Sequence, residues 1–295
     1  MEHRVLNAMS VDVEDFFQVS AFEQVISRDD WDSIAPRVER NTQVVLDLFD
    51  NAGVHATFFT LGWVAERFPG LIRDICARGH ELASHGMSHV RATQQTRAEF
   101  AADVQRTKAL LEDISGTAVD GYRAASFSIA TSNLWAHDEL VDAGYTYSSS
   151  IYPVRHDLYG MPAAPRFSFR VQGSGILEIP ITTTLLAGHN LPCGGGGYFR
   201  LLPYAYSKWA ISRVNRDEGE SAVFYFHPWE IDPGQPRQSP IGLKTAVRHY
   251  TNLNVMARKL ERLCQDFQWG SMREVFVERD RVSPCVALSP IPAAA

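Results

Sequence analysis

The spacing of apolar residues changes period repeatedly along the chain, and each change marks an element. Residues 5–13 read as a strand that leads straight into Glu14-Asp15-Phe16-Phe17. Between 36 and 51, Val38, Val44, Val45, Leu46, Leu48 and Phe49 recur at helical spacing, and Gly53 closes the segment. Residues 55–63 are rich in aromatic and β-branched side chains and read as a buried strand. A helix over 68–78 ends at Gly79, and a short strand over 80–84 follows. The clearest amphipathic helix is 96–114, with Phe100, Val104, Leu110 and Leu111 on one side and Gly116 as its stop. Strands are predicted over 119–127, 145–150, 176–182 and 222–227, and helices over 134–143, 203–217 and 252–267. Residues 152–175, with three prolines and no period, read as a long loop or small hairpin insertion. The four glycines at 194–197 lack the lysine of a phosphate loop and read as a flexible turn. The Pro/Ala-rich stretch 283–295 reads as a disordered tail.

Strand and helix alternate in units near 30 residues long, about seven times, without internal repeats. That is the pattern of a parallel sheet built from βαβ units. Candidate catalytic groups fall at the ends of several different strands, which favours a barrel over an open sheet. The expected fold is a distorted (β/α)7-type barrel forming one domain over 1–282, with the insertion near 152–175.

Composition narrows the partners. A hydrophobic fraction of 45% suits an ordinary globular core, and a net charge of −6 offers no footprint for nucleic acid or an anionic membrane. Cys76, Cys193, Cys264 and Cys285 form no CxxC pair, which fits a reducing compartment. Residues 1–9 carry no basic-then-apolar leader, and no apolar run is long enough to span a membrane. A cytoplasmic location is therefore expected. The oligomeric state is not legible.

The chemistry centres on Ser84-His85-Gly86-Met87-Ser88-His89, where two imidazoles four residues apart could reach one metal ion from a single helical turn. Acidic residues cluster at Asp12, Glu14 and Asp15. Continued strand alternation would place Asp12 and Glu14 on one face and Asp15 on the other. Arg123 and His227 lie at or beside predicted strands. Each residue has a plainer alternative: Asp12 as a cap, Arg123 as a structural ion-pair partner, His227 as a satisfied core residue. If they converge, two histidines and a carboxylate leave open positions on a metal, the arrangement of a catalytic zinc site and also of non-haem iron oxygenases. A free carboxylate to deprotonate bound water and a histidine to protonate a leaving nitrogen point instead to amide or ester hydrolysis.

The stretches SVDVEDFF (10–17), HATFFTLGW (55–63), GHELASHGMSH (79–89), GYRAASFSI (121–129), YSSSIYP (147–153), LEIPIT (177–182) and FYFHPWE (224–230) occur in this order. Together they resemble the NodB-type polysaccharide deacetylases of carbohydrate esterase family 4, nearest a branch found with bacterial exopolysaccharide and exosortase gene clusters. The resemblance implies Asp12 as catalytic base, Arg123 as the residue orienting it, and His227 as general acid. It implies His85 and His89 as metal ligands and Zn2+ as the expected ion. Where most members carry two adjacent aspartates, this chain reads Asp12-Val13-Glu14, so Glu14 is the expected third ligand and Asp15 its competitor. Gly86 stands where a serine or threonine usually steadies the loop. The implied substrate is an N-acetylated amino sugar in a polysaccharide or its lipid-linked precursor, with an oxyanion held by the metal and a backbone amide near 145–148. A metal-independent, allantoinase-like amidohydrolase and a catalytically silent sugar-binding component of exopolysaccharide assembly are the alternatives. Retention of the histidine pair argues against the first, and the intact acid, base and ligand set against the second. Arg155, His156, Tyr198 and Trp229 are further candidates for contacting sugar, each with a packing role equally open, while His80 is expected to be structural.

Overall fold

The computed structural model describes residues 5–157, 159–279 and 283–288. Its strands are β1 (Leu6–Val13), β2 (Thr57–Thr60), β3 (Glu81–Ser84), β4 (Gly121–Tyr122), β5 (Tyr147–Ser148), β6 (Phe169–Val171), β7 (Leu177–Glu178), β8 (Thr183–Leu186), β9 (His189–Pro192), β10 (Val223–Phe226), β11 (Gln268–Gly270) and β12 (Cys285–Val286). The helices are α1 (Val38–Ala52), α2 (Gly62–Arg67), α3 (Pro69–Ala77), α4 (Arg97–Ser115), α5 (Ala136–Asp142), α6 (Gly196–Leu201), α7 (Tyr204–Asp217), α8 (Leu243–Tyr250) and α9 (Leu253–Asp266).

Strands β10, β1, β2, β3, β4, β5 and β7 lie side by side in that order, every neighbouring pair parallel. The gap between the end of β7 and β10 is filled by the glycine run. Gly194 donates to Thr182 O at 3.1 Å, Tyr225 donates to Gly194 O at 2.8 Å, and Gly195 bridges to Tyr225. This is the expected distorted barrel of seven parallel strands, closed by an irregular stave. Strand alternation sorts the side chains of β1. Met9, Val11 and Val13 pack outward with Leu46, Phe49 and Leu260. Ala8 belongs to an inner cluster with Phe59, Tyr147 and Tyr225. Asp12 shares the inward face of Ala8 and Ser10.

Several predicted boundaries move. The aromatic run 55–63 is a strand only to Thr60; its last residues open α2, because Gly62 and Trp63 donate to Gly86 O and Met87 O, both at 2.9 Å. The predicted strand 119–127 is extended over two residues and then turns sharply, with Ser126 and Phe127 at positive φ. The glycines at 194–197 are not a flexible turn. A Cβ on Gly194 would lie 2.3 Å from Val223 O, and one on Gly196 would lie 2.1 Å from Glu230 Oε2. Gly194 and Gly196 are close-approach positions at which a side chain would displace the barrel wall. The β8–β9 hairpin, α8 and β11 are elements beyond those expected from the sequence. Beyond Tyr152 the described residues form no strand before β6, which pairs antiparallel with β7. Residues 283–288 are ordered rather than a free tail: β12 pairs parallel with β6, and Val286 and Leu288 pack against a core cluster. The remainder of that stretch, 289–295, lies outside the described residues.

Candidate active site

Asp12, Glu14, His85, His89, Arg123 and His227 converge at the C-terminal mouth of the barrel. His85 follows β3 directly, and its Nδ1 lies 2.8 Å from Arg123 O, which turns Nε2 toward the mouth. The chain then loops, with Gly86 at φ 75° and His89 at φ 51°, so the pair does not share a helical turn. The strained backbone of His89 is what returns its ring to within 5.4 Å of that of His85, centroid to centroid. Asp103, from α4, accepts the Met87 N–H at 3.1 Å, and Arg28 donates to Ser88 O and His89 O from outside. These contacts do the steadying that a side chain at position 86 does not.

Glu14 comes one residue after β1 and faces both imidazoles. Ligand atoms of Glu14, His85 and His89 all lie within 4.8 Å of one another, and the three residues are buried. Glu14 Oε2 is 2.9 Å from His89 Nε2 yet has no partner in hydrogen-bonding geometry. A buried carboxylate oxygen close to, but misaligned with, an imidazole nitrogen is what two donors aimed at a common cation look like. The set fits a divalent metal. Asp15 does not compete. Its oxygens accept the Phe16, Arg37 and Val38 amides at 2.8, 2.5 and 2.8 Å, capping the start of α1.

Asp12 lies beside this cluster. Its Oδ1 receives Arg123 Nη1 at 2.5 Å, and Arg123 is wholly buried. Ser10 Oγ, Ser149 O and Ser149 Oγ take the remaining guanidinium contacts at 3.0, 3.2 and 3.0 Å, and the Phe59 ring lies 4.0 Å beneath. A buried charge so completely partnered holds one geometry; removing a partner would cost several kcal/mol, on the order of 3–5. On the opposite side, His227 follows β10. Its Nε2 is 3.4 Å from Glu14 Oε1 and 3.9 Å from Asp12 Oδ2.

Two residues that pattern reading missed complete the histidine. Glu230 Oε2 lies 3.2 Å from His227 Nδ1, and Glu230 Oε1 receives Arg200 Nε at 2.8 Å, with Glu230 and Arg200 both buried. The spacing of Glu230, three residues past His227, was a usable signal. Arg200, within an apolar stretch of α6, gave none. Burial works against a protonated His227, but Glu14, Glu230 and Asp12 outweigh it and raise its pKa to about 9. Burial would raise Glu14, yet the facing histidines bring it down to about 2. His85 is lowered to about 4 by burial and is held neutral, the form that binds metal.

The mouth opens into a cleft of about 280 Å³ bordered by Tyr159, Tyr198, Tyr225 and Trp229. Trp229 is stacked between His227 and His249, a packing role, while His156 lies flat on Tyr159 at 4.0 Å and borders the outer cleft. Arg155 does not line it. His80 is structural, with Nδ1 facing Ala56 N at 3.3 Å. The amides near 145–148 do not reach the cleft. Those of Tyr145, Thr146 and Tyr147 are bonded to Leu140 O and Asp120 O, so the oxyanion contact expected there is absent among the described residues.

A parallel barrel with a buried two-histidine, one-carboxylate cluster at its C-terminal mouth defines a candidate metallohydrolase. Known families extend this. Residues 26–148 match the family described as polysaccharide deacetylase, and 149–277 match a domain of unknown function, DUF3473. The polysaccharide deacetylase match thus takes in β2 to β5 of the barrel. A peptidoglycan-N-acetylglucosamine deacetylase of Bacillus cereus is 30% identical over 99 residues, 33% of this chain and 36% of that protein. A chitooligosaccharide deacetylase of Bradyrhizobium is 32% identical over 95 residues, 32% of this chain and 43% of that protein. The matched stretches thus span well under half of those relatives. A solved candidate polysaccharide deacetylase from Mycobacterium smegmatis shares the fold over 98% of this chain and 95% of its own, at a TM-score of 0.64 and 18% identity. The boundary between the two family matches falls immediately after β5, inside the barrel. The first match holds His85, His89 and Arg123, the second holds Ser149, Arg200, His227 and Glu230, and Asp12 and Glu14 precede both.

Proposed function

We propose that the protein is a metal-dependent hydrolase that removes N-acetyl groups from an amino sugar in a polysaccharide or its lipid-linked precursor. The observation that carries this reading is the buried donor set of Glu14, His85 and His89, flanked by Asp12 and His227. Two imidazoles and one carboxylate with positions left open suit Zn2+. When bound, the ion supplies a Lewis acid for the amide carbonyl and a water of lowered pKa.

The chain's own residues do the rest. Asp12, fixed by Arg123, takes the proton from the attacking water at the oxygen turned away from the guanidinium. His227, kept protonated by Glu230 and Glu14, gives its proton to the sugar nitrogen as the carbon–nitrogen bond breaks, leaving acetate and a free amine. The buried Arg200–Glu230 pair holds the imidazole orientation through that transfer. The aromatic border of the cleft offers ring faces against which a pyranose can lie. A silent binding protein has no use for the acid and the base together, and both are kept.

The test is acetate release from N-acetylglucosamine oligomers, with bound metal measured in the same samples. His85→Ala is expected to lose both metal and activity, and Asp12→Asn to keep metal and lose activity. Unchanged turnover in both variants would overturn the assignment.

A further inference from the structure

Helix α8 is turned the wrong way round for a core helix. Leu243 is 82% exposed and Val247, one turn later, 47% exposed, while the buried residue of this helix is His249. An apolar stripe at i and i+4 would ordinarily face the core. Here it faces outward, beside the mouth of the cleft, which the same helix lines with Thr245, Arg248 and His249.

The charges around this stripe run against those of the whole chain. Lys244 and Arg248 flank it, Arg237 lies over the ring of Tyr250 at 4.8 Å, and Arg155 sits on the loop that α8 grips through Asp157. Asp157 is the acidic residue paired within the patch, so a basic, apolar surface rims the cleft of a protein whose net charge is −6. Bulk charge concealed it. Exposed aliphatic residues bordered by lysine and arginine on a short amphipathic helix suit the headgroup and acyl boundary of an anionic bilayer. A soluble polyanion would account for the cations but not for Leu243 and Val247.

We propose that α8 and its basic surround dock the protein on an anionic lipid surface, with the cleft opening toward that surface. The inference stands apart from the reaction assigned above, although a surface-bound saccharide would meet the cleft directly. It is tested by sedimentation of the full chain with vesicles of phosphatidylcholine alone or mixed with phosphatidylglycerol. The wild type is expected to bind the mixed vesicles, less so as salt rises. The variant Leu243→Ser/Val247→Ser is expected to lose roughly tenfold in binding through the apolar area no longer buried. Lys244→Glu is expected to weaken binding to the mixed vesicles selectively. No wild-type binding, or equal binding by the serine variant, overturns the proposal. So does displacement by dextran sulfate that is equally effective on both, which would mark a polyanion site instead. None of these positions lines the cleft, so acetate release from soluble oligomers should be the same in wild type and variants. If no chain releases acetate while vesicle binding holds, the reaction assignment fails and the docking surface stands.

Discussion

Glu230 holds His227 at two points: the same carboxylate oxygen, Oε2, lies 3.2 Å from the ring Nδ1 and accepts the backbone N–H at 3.0 Å. The imidazole is thereby fixed in direction, with Nε2 turned to the cleft, and its positive form is favoured. His227→Ala should lower kcat by about 10²–10⁴-fold, the usual contribution of a positioned acid. Glu230→Gln should cost about 10–100-fold, as loss of an orienting partner does, with bound metal unchanged. Metal analysis beside steady-state kinetics checks both. Full activity in the glutamine variant would remove Glu230 from the machinery.

Glu14 and Asp15 are adjacent and make opposite predictions. Asp15 serves the start of α1, so Asp15→Ala leaves buried amides without acceptors and should cost about 1–3 kcal/mol of stability. Its metal content should be unchanged. Glu14→Gln should lose metal affinity with little loss of stability. Equilibrium dialysis with zinc and urea unfolding of both variants separate the roles; metal loss confined to the Asp15 variant would exchange them.

The fold was legible wherever one face of an element is buried. The alternation of β1 and the helical spacing of α1 and α4 come from packing against a single core, and sequence carries that imprint directly. The donor set was legible because it sits at strand ends. What stayed hidden has a physical cause in each case. Arg200 is a charge buried by partners distant in sequence, Glu230, Thr251 and Arg248, and nothing local announces it. Helix α8 buries almost none of its apolar residues, so its pattern reports a surface rather than a core. The geometry of 85–89 depends on positive φ at Gly86 and His89, which a residue spacing does not encode.

The glycine run gives a graded test of the barrel's closing stave. A Cβ on Gly194 would meet Val223 O at 2.3 Å, whereas one on Gly197 meets nothing within 4 Å. Gly194→Ala should destabilise by about 1–3 kcal/mol through overpacking. Gly197→Ala, inside α6, should be neutral or gain up to about 1 kcal/mol. Urea midpoints for the two variants check this. Equal midpoints would mean the stave is as loose as a flexible turn.

Asp103 provides the pH dependence. It lies under the loop of Gly86 and accepts the Met87 amide, and burial raises its pKa to about 6 against an ordinary value of 3.8. A carboxyl that binds its proton more tightly when folded contributes stability fully present below the unfolded pKa and lost as pH rises through the folded one. The window is therefore pH 3.8 to 6. Asp103→Asn removes this titration while keeping an oxygen to accept the Met87 N–H. Relative to that variant, the wild type should gain stability as pH falls from neutral through 6 toward 4. Urea unfolding of both proteins across this range, in chelator, reads the difference directly. A difference that is flat, or that grows with rising pH, would show that the carboxyl is ionised without penalty under the loop.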